Sequence, residues 1–313
     1  MPKALTYNAE LIKRDDHTKE LCVFHIKYDE PRPLAEGARR FKPGQYVALG
    51  LNNTEVPDLG SVRRSMSLAG APEQEGHYEF YIRYVGKPES PNPLTHLMWK
   101  MKAGDRIFMT HKPVGKFTVE DTTGTEDPRL KVLVAAGTGL APFLSMARSR
   151  VLCDAGADLS DFVLLHGASY AADLCYRDEL SRYRDENGLH YFGSVSRPKE
   201  SPDWSGHTGR VEDFFRPDRL AELEAAIGRE SGYLTPKTAG VLICGLQGTI
   251  AQTIMRLAGR GFVPEHRKIR KALEIPEDVA GSIWWEQYDT TPVIDLSDEA
   301  VVGSIKADIA AAS

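Results

Sequence analysis

The stretch that decides the fold is "KVLVAAGTGLAPFLSMA", residues 131 to 147. Its first seven residues are mostly apolar, which is typical of a strand buried on both faces, and a helical pattern follows with Pro142 in its first turn. Gly137, Thr138 and Gly139 form the turn between strand and helix. Such a turn lets backbone amides approach a pyrophosphate, but any tight strand-to-helix turn favours glycine, and no third glycine completes the dinucleotide fingerprint.

The same alternation continues through the second half of the chain. Buried-strand patterns "DFVLLHG", "HYFGSVS" and "GVLICG" alternate with helical patterns such as "GTIAQTIMRLAGRG". This order predicts a parallel sheet wound with helices. Cys244 and Gly245 end the last of these strands, at the edge where ligands of open α/β sheets bind. A cysteine in this place is either packing or part of a site.

Two arginines follow later strands of this half. Arg197 lies in "VSRP" and Arg210 in "HTGRV". Together they would bind a 2'-phosphate through charge-assisted hydrogen bonds, unless they are unrelated surface residues. The strand before them ends in "HGASYAADL", with no acidic residue placed to bind an adenosine ribose. The pattern therefore favours NADP over NAD.

The first half has a different pattern. Short apolar runs are separated by turns such as "DEPRPLAEG" and "FKPGQ", which predicts an antiparallel barrel or sandwich. One short helix is expected within residues 95–102, with Thr95 as its cap and Gly104 as its end. A polar linker at 120–129 gives a barrel domain at 1–120, an α/β domain at 121–288 and a C-terminal extension at 289–313.

Composition limits the function classes. The 313 residues are 42% apolar with a net charge of -5, as expected for a globular protein of two domains. No segment is apolar enough to span a membrane, and we expect neither a membrane nor a nucleic-acid partner. The four cysteines lack C-x-x-C spacing, which argues against a disulfide scaffold, a zinc site and a built-in iron–sulfur cluster and favours the cytoplasm, and we expect no metal ligands. They are Cys22, Cys153, Cys175 and Cys244.

A series of short motifs resembles one family. In order they are "FKPGQYV", "RRSMS", "KPVGKF", "AAGTGLAPFLS", "HGASYAADLCY", "VSRP", "HTGRV" and "CG". The series resembles the ferredoxin/flavodoxin–NADP reductase family in its bacterial branch, over nearly the whole chain up to Tyr288. The resemblance implies a flavin-binding antiparallel β-barrel followed by a parallel-sheet α/β nucleotide-binding domain, with FAD and NADP as cofactors.

The resemblance also implies a flavin site. "RSMS" at 64–67 matches the family's R-x-Y-[ST] strand, in which Arg64 would bind the FAD pyrophosphate, beside Ser65. Ser67 would lie near flavin N5, and Met66 replaces the tyrosine that stacks on the isoalloxazine. A thioether contacts an aromatic ring about as favourably as a second ring does, so binding should survive. The other implied FAD contacts are Tyr81, Ile82, Arg83, Leu94 and Thr95.

On the nucleotide side, Ser169 stands where the bacterial branch usually has an arginine, so tolerance of NAD stays open. Family members end near a glutamate and an aromatic residue that covers the flavin. Glu286 would be the hydrogen-bond or proton partner near N5, and Tyr288 the cover that nicotinamide displaces. Trp284 or Trp285 could be that cover instead. Cys244 would lie near the nicotinamide.

The implied activity is hydride transfer from NADPH to flavin N5, followed by single-electron transfer to a ferredoxin or flavodoxin. Residues 1–120 contain 18 Lys/Arg and 15 Asp/Glu, which would suit a separate acidic carrier or arise by chance. The alternatives are a reductase component for an oxygenase, a reductase of free flavin or quinone, and a non-catalytic nucleotide-binding subunit.

After Tyr288, Val301, Ile305 and Ile309 recur every fourth residue. This spacing predicts a helix with one apolar face. We expect that face to cover the adenine side of FAD or to pack on a neighbouring subunit.

Overall fold

The computed structural model of the chain describes residues 4–30, 38–154 and 156–312. Most of the turn predicted in "DEPRPLAEG" lies outside the described residues. Packing divides the chain into two compact units, Met1–Thr118 with Ala141–Ala155, and Val119–Leu140 with Gly156–Ser313. Residues 141–155 therefore group with the first unit, whereas the sequence pattern assigns them to the second domain.

The first unit contains a six-stranded antiparallel sheet with the strand order β4-β3-β6-β1-β2-β5. The backbone N–H of Ala69, just after β4, donates to Glu79 of β5 at 2.9 Å, so the two end strands approach each other as in a barrel. The predicted antiparallel β fold is confirmed. The strands are β1 Ala9–Asp16, β2 Leu21–Tyr28, β3 Tyr46–Asn52, β4 Ser61–Ser67, β5 Tyr78–Arg83 and β6 Arg106–Met109.

The core of this unit is formed by apolar side chains that alternate along the strands. Leu11, Phe24, Leu49, Phe80 and Ile107 are all fully buried in one cluster. Each such side chain stabilises the folded state by about 1.5–3 kcal/mol through removal from water. The alternation fixes the register of every strand and therefore fixes which side chains of β4 face outward.

The helix predicted within residues 95–102 is present but shorter than predicted. It is α1, Leu94–Met98, with Pro93 as its N-cap residue and Trp99 as its C-cap residue. The prediction of a Thr95 cap and a Gly104 end is therefore wrong. Thr95 Oγ1 instead accepts a hydrogen bond from the Val85 backbone at 3.4 Å, and Gly104, at φ +94°, occupies the turn before β6.

The second unit contains a six-stranded parallel sheet with the order β10-β9-β8-β7-β11-β12. This confirms the predicted parallel sheet. Its strands are β7 Leu130–Ala136, β8 Phe162–Ala168, β9 His190–Val195, β10 His207–Thr208, β11 Ala239–Gly245 and β12 Ile283–Gln287. Helix α2, Leu140–Cys153, follows β7 and groups almost entirely with the first unit. The helices of the second unit are α3 Arg177–Asn187, α4 Pro217–Ala226, α5 Gln247–Ala258, α6 Arg267–Ala272 and α7 Glu299–Ala312.

The order of this sheet reverses between β7 and β11. Strands β7 to β10 follow one another outward, and the chain then returns to place β11 on the other side of β7. Crossover connections leave from opposite sides at such a point, so a crevice opens beyond the carboxyl ends of the two central strands. The glycine turn follows β7, and Cys244 and Gly245 end β11, so both lie at this reversal.

The C-terminal extension belongs to the second unit. The predicted helix is present as α7, which packs on α5. Ile305 and Ile309 are buried in the core cluster of this unit, and Val301 is partly buried against it. The expectation that this face covers FAD or a neighbouring subunit is wrong, because the unit's own core covers it.

None of the described helices combines the length and the apolar character that crossing a bilayer requires.

Candidate functional site

The glycine turn after β7 is built by backbone constraints. Gly137 has φ +57°, a conformation that L side chains rarely adopt. A Cβ atom on Gly139 would lie 2.1 Å from the carbonyl oxygen of Cys244, so only glycine fits there. Residues Gly137–Gly139 form one 3-10 turn, and α2 begins directly after it. Helix starts of this kind direct backbone N–H groups outward, and such groups bind anions in many proteins.

Cys244 packs beneath that turn. Its side chain is fully buried, and burial, assisted by the nearby Glu286 carboxylate, raises the thiol pKa well above its usual value, against a smaller lowering by a Tyr288 hydrogen bond. The group is therefore a thiol at neutral pH, which is a poor nucleophile. Cys244 shapes the site and does not supply a reactive thiolate.

Tyr288 reaches the same edge of the sheet. Its backbone N–H donates to Gly245 at 3.1 Å, and its Oη donates to the Thr138 carbonyl at 3.3 Å. The residue is 43% exposed. The structure therefore brings Thr138, Gly139, Cys244 and Tyr288 together.

The neighbouring aromatic residues and Glu286 lie within β12. Trp284 and Trp285 are paired with Leu242 and Ile243 of β11. The Trp285 ring stacks on His266 with centroids 5.5 Å apart. Glu286 is paired with Cys244. Both tryptophans thus belong to the body of the strand, while Tyr288 follows the end of it.

The candidate phosphate-binding arginines lie at the carboxyl ends of adjacent strands. The backbone N–H of Arg197, just after β9, donates to Ser169 just after β8 at 3.0 Å. Arg210 follows β10, which is parallel to β9. Since parallel strands end at one sheet edge, Ser169, Arg197 and Arg210 share the edge that carries the glycine turn.

Each of these arginines has a defined environment. Arg197 Nη1 donates to Tyr170 Oη at 2.6 Å, and the Arg197 guanidinium lies 5.4 Å from the centroid of that ring. Arg210 is mostly exposed, with Nη1 3.9 Å from the buried Glu212 carboxylate. Burial raises the pKa of Glu212. Arg197 is therefore held in one orientation by Tyr170, whereas Arg210 is loosely tethered.

A buried histidine supports the turn from within the sheet. His166 on β8 is paired with Ala135 of β7 and is fully buried. Among the described residues neither ring nitrogen has a hydrogen-bond partner of good geometry. Burial lowers its pKa to about 4, opposed only by a backbone interaction with Gly137. The imidazole is therefore neutral at physiological pH and faces the glycine turn.

In the first unit, the arginine strand is β4, at one end of the sheet. Arg64 is paired with Leu49, and Arg64 Nη1 donates to the Arg63 carbonyl at 2.8 Å. Alternation along the strand puts Arg64 and Met66 on one face and Ser65 and Ser67 on the other. Arg64 is exposed, Met66 is partly buried against the core, and Ser67 is 8% exposed.

Most of the other candidate flavin contacts are buried or paired with other side chains. Ile82 and Leu94 are buried in the core of the first unit, and Tyr81 is buried as well. Arg83 Nη2 donates to Glu20 Oε2 at 2.8 Å. The helix that carries Leu94 and Thr95, α1, contacts β3 and β4, so it lies beside the arginine strand.

Residues 133–254 match the oxidoreductase NAD-binding domain family. Ferredoxin–NADP reductase B of Sorangium cellulosum is 30% identical over 229 residues, covering 73% of this chain and 82% of the relative. The chain belongs to the ferredoxin–NADP reductase family. It is an oxidoreductase of that family, as the motif series predicts.

Other relatives of the ferredoxin–NADP reductase family show its breadth. The reductase component of propane 2-monooxygenase from Mycolicibacterium goodii is 30% identical over 227 residues, covering 72% of this chain and 58% of the relative. The crystal structure of a ferredoxin NADP+ reductase from Neisseria gonorrhoeae, with bound FAD and NADP, has a TM-score of 0.68. It is 22% identical and covers 90% of this chain and 97% of that chain, so it supports the fold.

Sequence reasoning about this family member did not identify His166 or Tyr170. His166 stands inside a buried-strand pattern, where its polarity was the only signal. Tyr170 immediately follows Ser169, the departure from the family pattern, and its contact with Arg197 links two separate loops. Neither contact follows from local spacing, because strand pairing creates both.

Proposed function

We propose that the protein is an NADPH-dependent reductase that binds FAD on its first unit and passes electrons singly to a ferredoxin or flavodoxin. One observation carries the proposal. The second unit gathers the glycine turn, Arg197 and Arg210 at one sheet edge, beside the reversal of strand order. Family membership supplies the reaction type, and the residues indicate how the nucleotide is bound.

The residues present fit NADP. Gly137 and Gly139 keep the turn clear of side chains, which lets a pyrophosphate approach the N–H groups at the start of α2. Arg197 and Arg210 would bind the 2'-phosphate, and the small Ser169 leaves space at that edge. Tyr170 would hold the Arg197 guanidinium in place, which compensates for the arginine that Ser169 replaces.

The residues of β4 fit FAD. The exposed Arg64 would bind its pyrophosphate, and Met66 would contact the isoalloxazine from the same face of the strand. Ser67 would donate a hydrogen bond near N5, with Ser65 beside it. When bound, FAD supplies what no side chain has, the capacity to accept a hydride from NADPH and release electrons one at a time. Tyr81, Ile82, Arg83, Leu94 and Thr95 would shape the barrel wall and α1 around it.

Three residues at the end of β11 and β12 would control nicotinamide access. Tyr288 would cover the entry, and its long hydrogen bond to Thr138 and partial exposure suit a side chain that must be displaced. Cys244 would contact the nicotinamide as a neutral thiol. Glu286 would serve as the hydrogen-bond or proton partner near flavin N5.

A second candidate function is a reductase component of an oxygenase. The Mycolicibacterium goodii relative favours it, since its identity to this chain equals that of the Sorangium cellulosum reductase. Both functions share the nucleotide and flavin chemistry and differ only in the electron acceptor.

The acceptor is tested by NADPH oxidation with a ferredoxin, a flavodoxin, free FMN or a small dye at increasing salt. We expect turnover with the carrier proteins to fall steeply with salt, because charge steers their encounter, while turnover with the dye stays constant. Reduction of the dye without reduction of either carrier would reject ferredoxin and flavodoxin as acceptors but would leave the NADPH-dependent reductase activity in place. Failure to oxidise NADPH with every acceptor would reject the proposed function.

A further inference from the structure

Three side chains with metal-binding atoms meet on the sheet of the first unit. His25 on β2 is paired directly with Glu79 on β5. His77 lies two residues before Glu79 and therefore on the same face, because side chains alternate along an extended chain. One ligand atom from each of His25, His77 and Glu79 lies within 4.8 Å of the others. Strand pairing thus brings together residues that lie up to 54 positions apart in the chain.

A fourth residue orients the first of these ligands. Asp15 on β1 has its Oδ2 2.9 Å from His25 Nε2. Metal-binding histidines commonly donate one ring N–H to a carboxylate, which fixes the ring and directs the other nitrogen to the metal. The Asp15 contact would leave Nδ1 of His25 as the ligating atom.

We propose that His25, His77 and Glu79 form a Zn²⁺-binding site. Two imidazoles and one carboxylate are a ligand set that zinc accepts, with water in the fourth position, whereas Mg²⁺ and Ca²⁺ prefer oxygen ligands alone. Zinc–nitrogen bonds of about 2.0–2.1 Å need closer ligand atoms than the structure has, so side-chain rotations would tighten the cluster. Both histidines are partly exposed, and His77, which precedes β5, would rotate toward the other two ligands.

Positive charge around the cluster sets a limit on affinity. Arg148 Nη1 donates to Glu79 Oε1 at 2.7 Å, and Arg40 Nη2 donates to the His77 carbonyl at 3.0 Å. An ionised carboxylate offers about four acceptor positions on its two oxygens, so it can accept from Arg148 and bind a metal ion together. These cations weaken binding relative to an uncompensated site, and the zinc would dissociate under a strong chelator.

None of the three ligands is a residue that we assign to FAD or NADP, and Glu79 shares strand β5 with the candidate flavin contacts Tyr81, Ile82 and Arg83. Its occupancy would tie β2 to the residue that precedes β5. Zinc should therefore raise the thermal midpoint of the protein, since it binds only the folded arrangement of these strands. The scattered cysteines predicted no metal site, and this cluster contains no cysteine.

The test uses the full FAD-loaded protein without an affinity tag, treated with chelator and then titrated with Zn²⁺ by calorimetry. We expect saturable binding of one ion, abolished in His77→Ala and weakened about 10–100-fold in Asp15→Asn. His17→Ala, which removes an exposed histidine of the same unit outside the cluster, is the matched control and should bind as the wild type does.

Co²⁺ provides a second measurement, since its visible absorption becomes much stronger when it moves from octahedral water to a four-coordinate site. The cobalt spectrum of the wild type should be lost in His77→Ala and kept in His17→Ala. Absence of saturable binding would overturn the proposal. Equal affinity in the wild type and His77→Ala would overturn it as well, because binding would then lie elsewhere.

Discussion

The two units build their candidate sites in opposite ways. In the second unit the turn that would bind the pyrophosphate is made of backbone, at the ends of parallel strands, where Gly139 fits only because it has no side chain. In the first unit the pyrophosphate would be bound by a side chain, that of Arg64 on β4. The nucleotide site should therefore be sensitive to added atoms, and the flavin site to removed charge.

The largest effect is expected from Gly139→Ala. The new Cβ would lie 2.1 Å from the Cys244 carbonyl oxygen, so the turn or β11 must shift. A misplacement of this kind costs about 100-fold in catalytic efficiency, measured as kcat/KM for NADPH. Gly259→Ala is the control, because its Cβ would meet open space at φ -65°. Equal activity in both variants would show that backbone fit does not define the site.

The next largest effect is expected from His166, which is buried beneath that turn, on the pH dependence of stability. Because the pKa of His166 is about 4 when folded and about 6.5 when unfolded, the unfolded chain takes up a proton first as pH falls. The contribution of His166 to the free energy of unfolding is therefore complete above pH 6.5 and is lost as the pH falls toward 4, by about 3 kcal/mol in total. Thermal midpoints of wild type and His166→Leu between pH 4 and 8 measure this. Parallel pH curves for the two proteins would contradict it.

Removal of charge tests the flavin side. Arg64→Ala should weaken FAD binding about 10–100-fold, since hydrogen bonds to charged groups contribute about 1.5–3 kcal/mol. Fluorescence titration of the apoprotein with FAD gives the dissociation constant. The neighbouring Arg63, which lies over the Phe108 ring, is the control, and Arg63→Ala should change FAD affinity little. A larger loss of FAD affinity in Arg63→Ala than in Arg64→Ala would mean that Arg63, and not Arg64, binds the pyrophosphate.

Removal of charge on the nucleotide side should have a smaller effect, because two arginines share the 2'-phosphate. Arg197→Ala is expected to raise KM for NADPH about tenfold and to leave KM for NADH unchanged. Tyr170→Phe, which removes only the contact that orients Arg197, should raise KM for NADPH by less. An equal rise for both nucleotides would mean that Arg197 does not bind the 2'-phosphate.

The smallest effect is expected from Met66→Tyr, which installs the family's residue. Sulfur–aromatic and aromatic–aromatic contacts contribute about 0.3–1.5 and 0.5–1.5 kcal/mol respectively, so FAD affinity should change by less than about tenfold. The flavin reduction potential should shift, because sulfur and phenol polarise the ring differently. Spectroelectrochemistry measures the shift, and an unchanged potential would indicate that residue 66 does not contact the ring.

The same contrast explains what the sequence could predict. The central strands of the second unit are buried on both faces, so "KVLVAAG" and "GVLICG" are continuous apolar patterns, and β7 and β11 follow them closely. The sequence pattern does not indicate strand β1, because "AELIKRDD" is mostly charged and only Ala9 and Leu11 of this strand are buried. Propensity and periodicity identify buried elements and miss exposed ones.

Contacts between distant segments account for the remaining differences. The aromatic cluster before Tyr288 was not recognised as β12, because aromatic residues indicate a core as readily as a strand. The pairing with β11 shows that Trp284 and Trp285 lie within a strand and that Tyr288 follows it. The partner of Arg197 and the surroundings of His166 likewise depend on which strands are neighbours.

The most direct test of the central claim is anaerobic titration of the purified protein with NADPH and, in parallel, NADH, followed by visible absorption. We expect a yellow protein that NADPH bleaches, with NADH less effective at equal concentration. A colourless protein that fails to take up FAD on reconstitution, or a yellow protein that neither nucleotide bleaches, would contradict it.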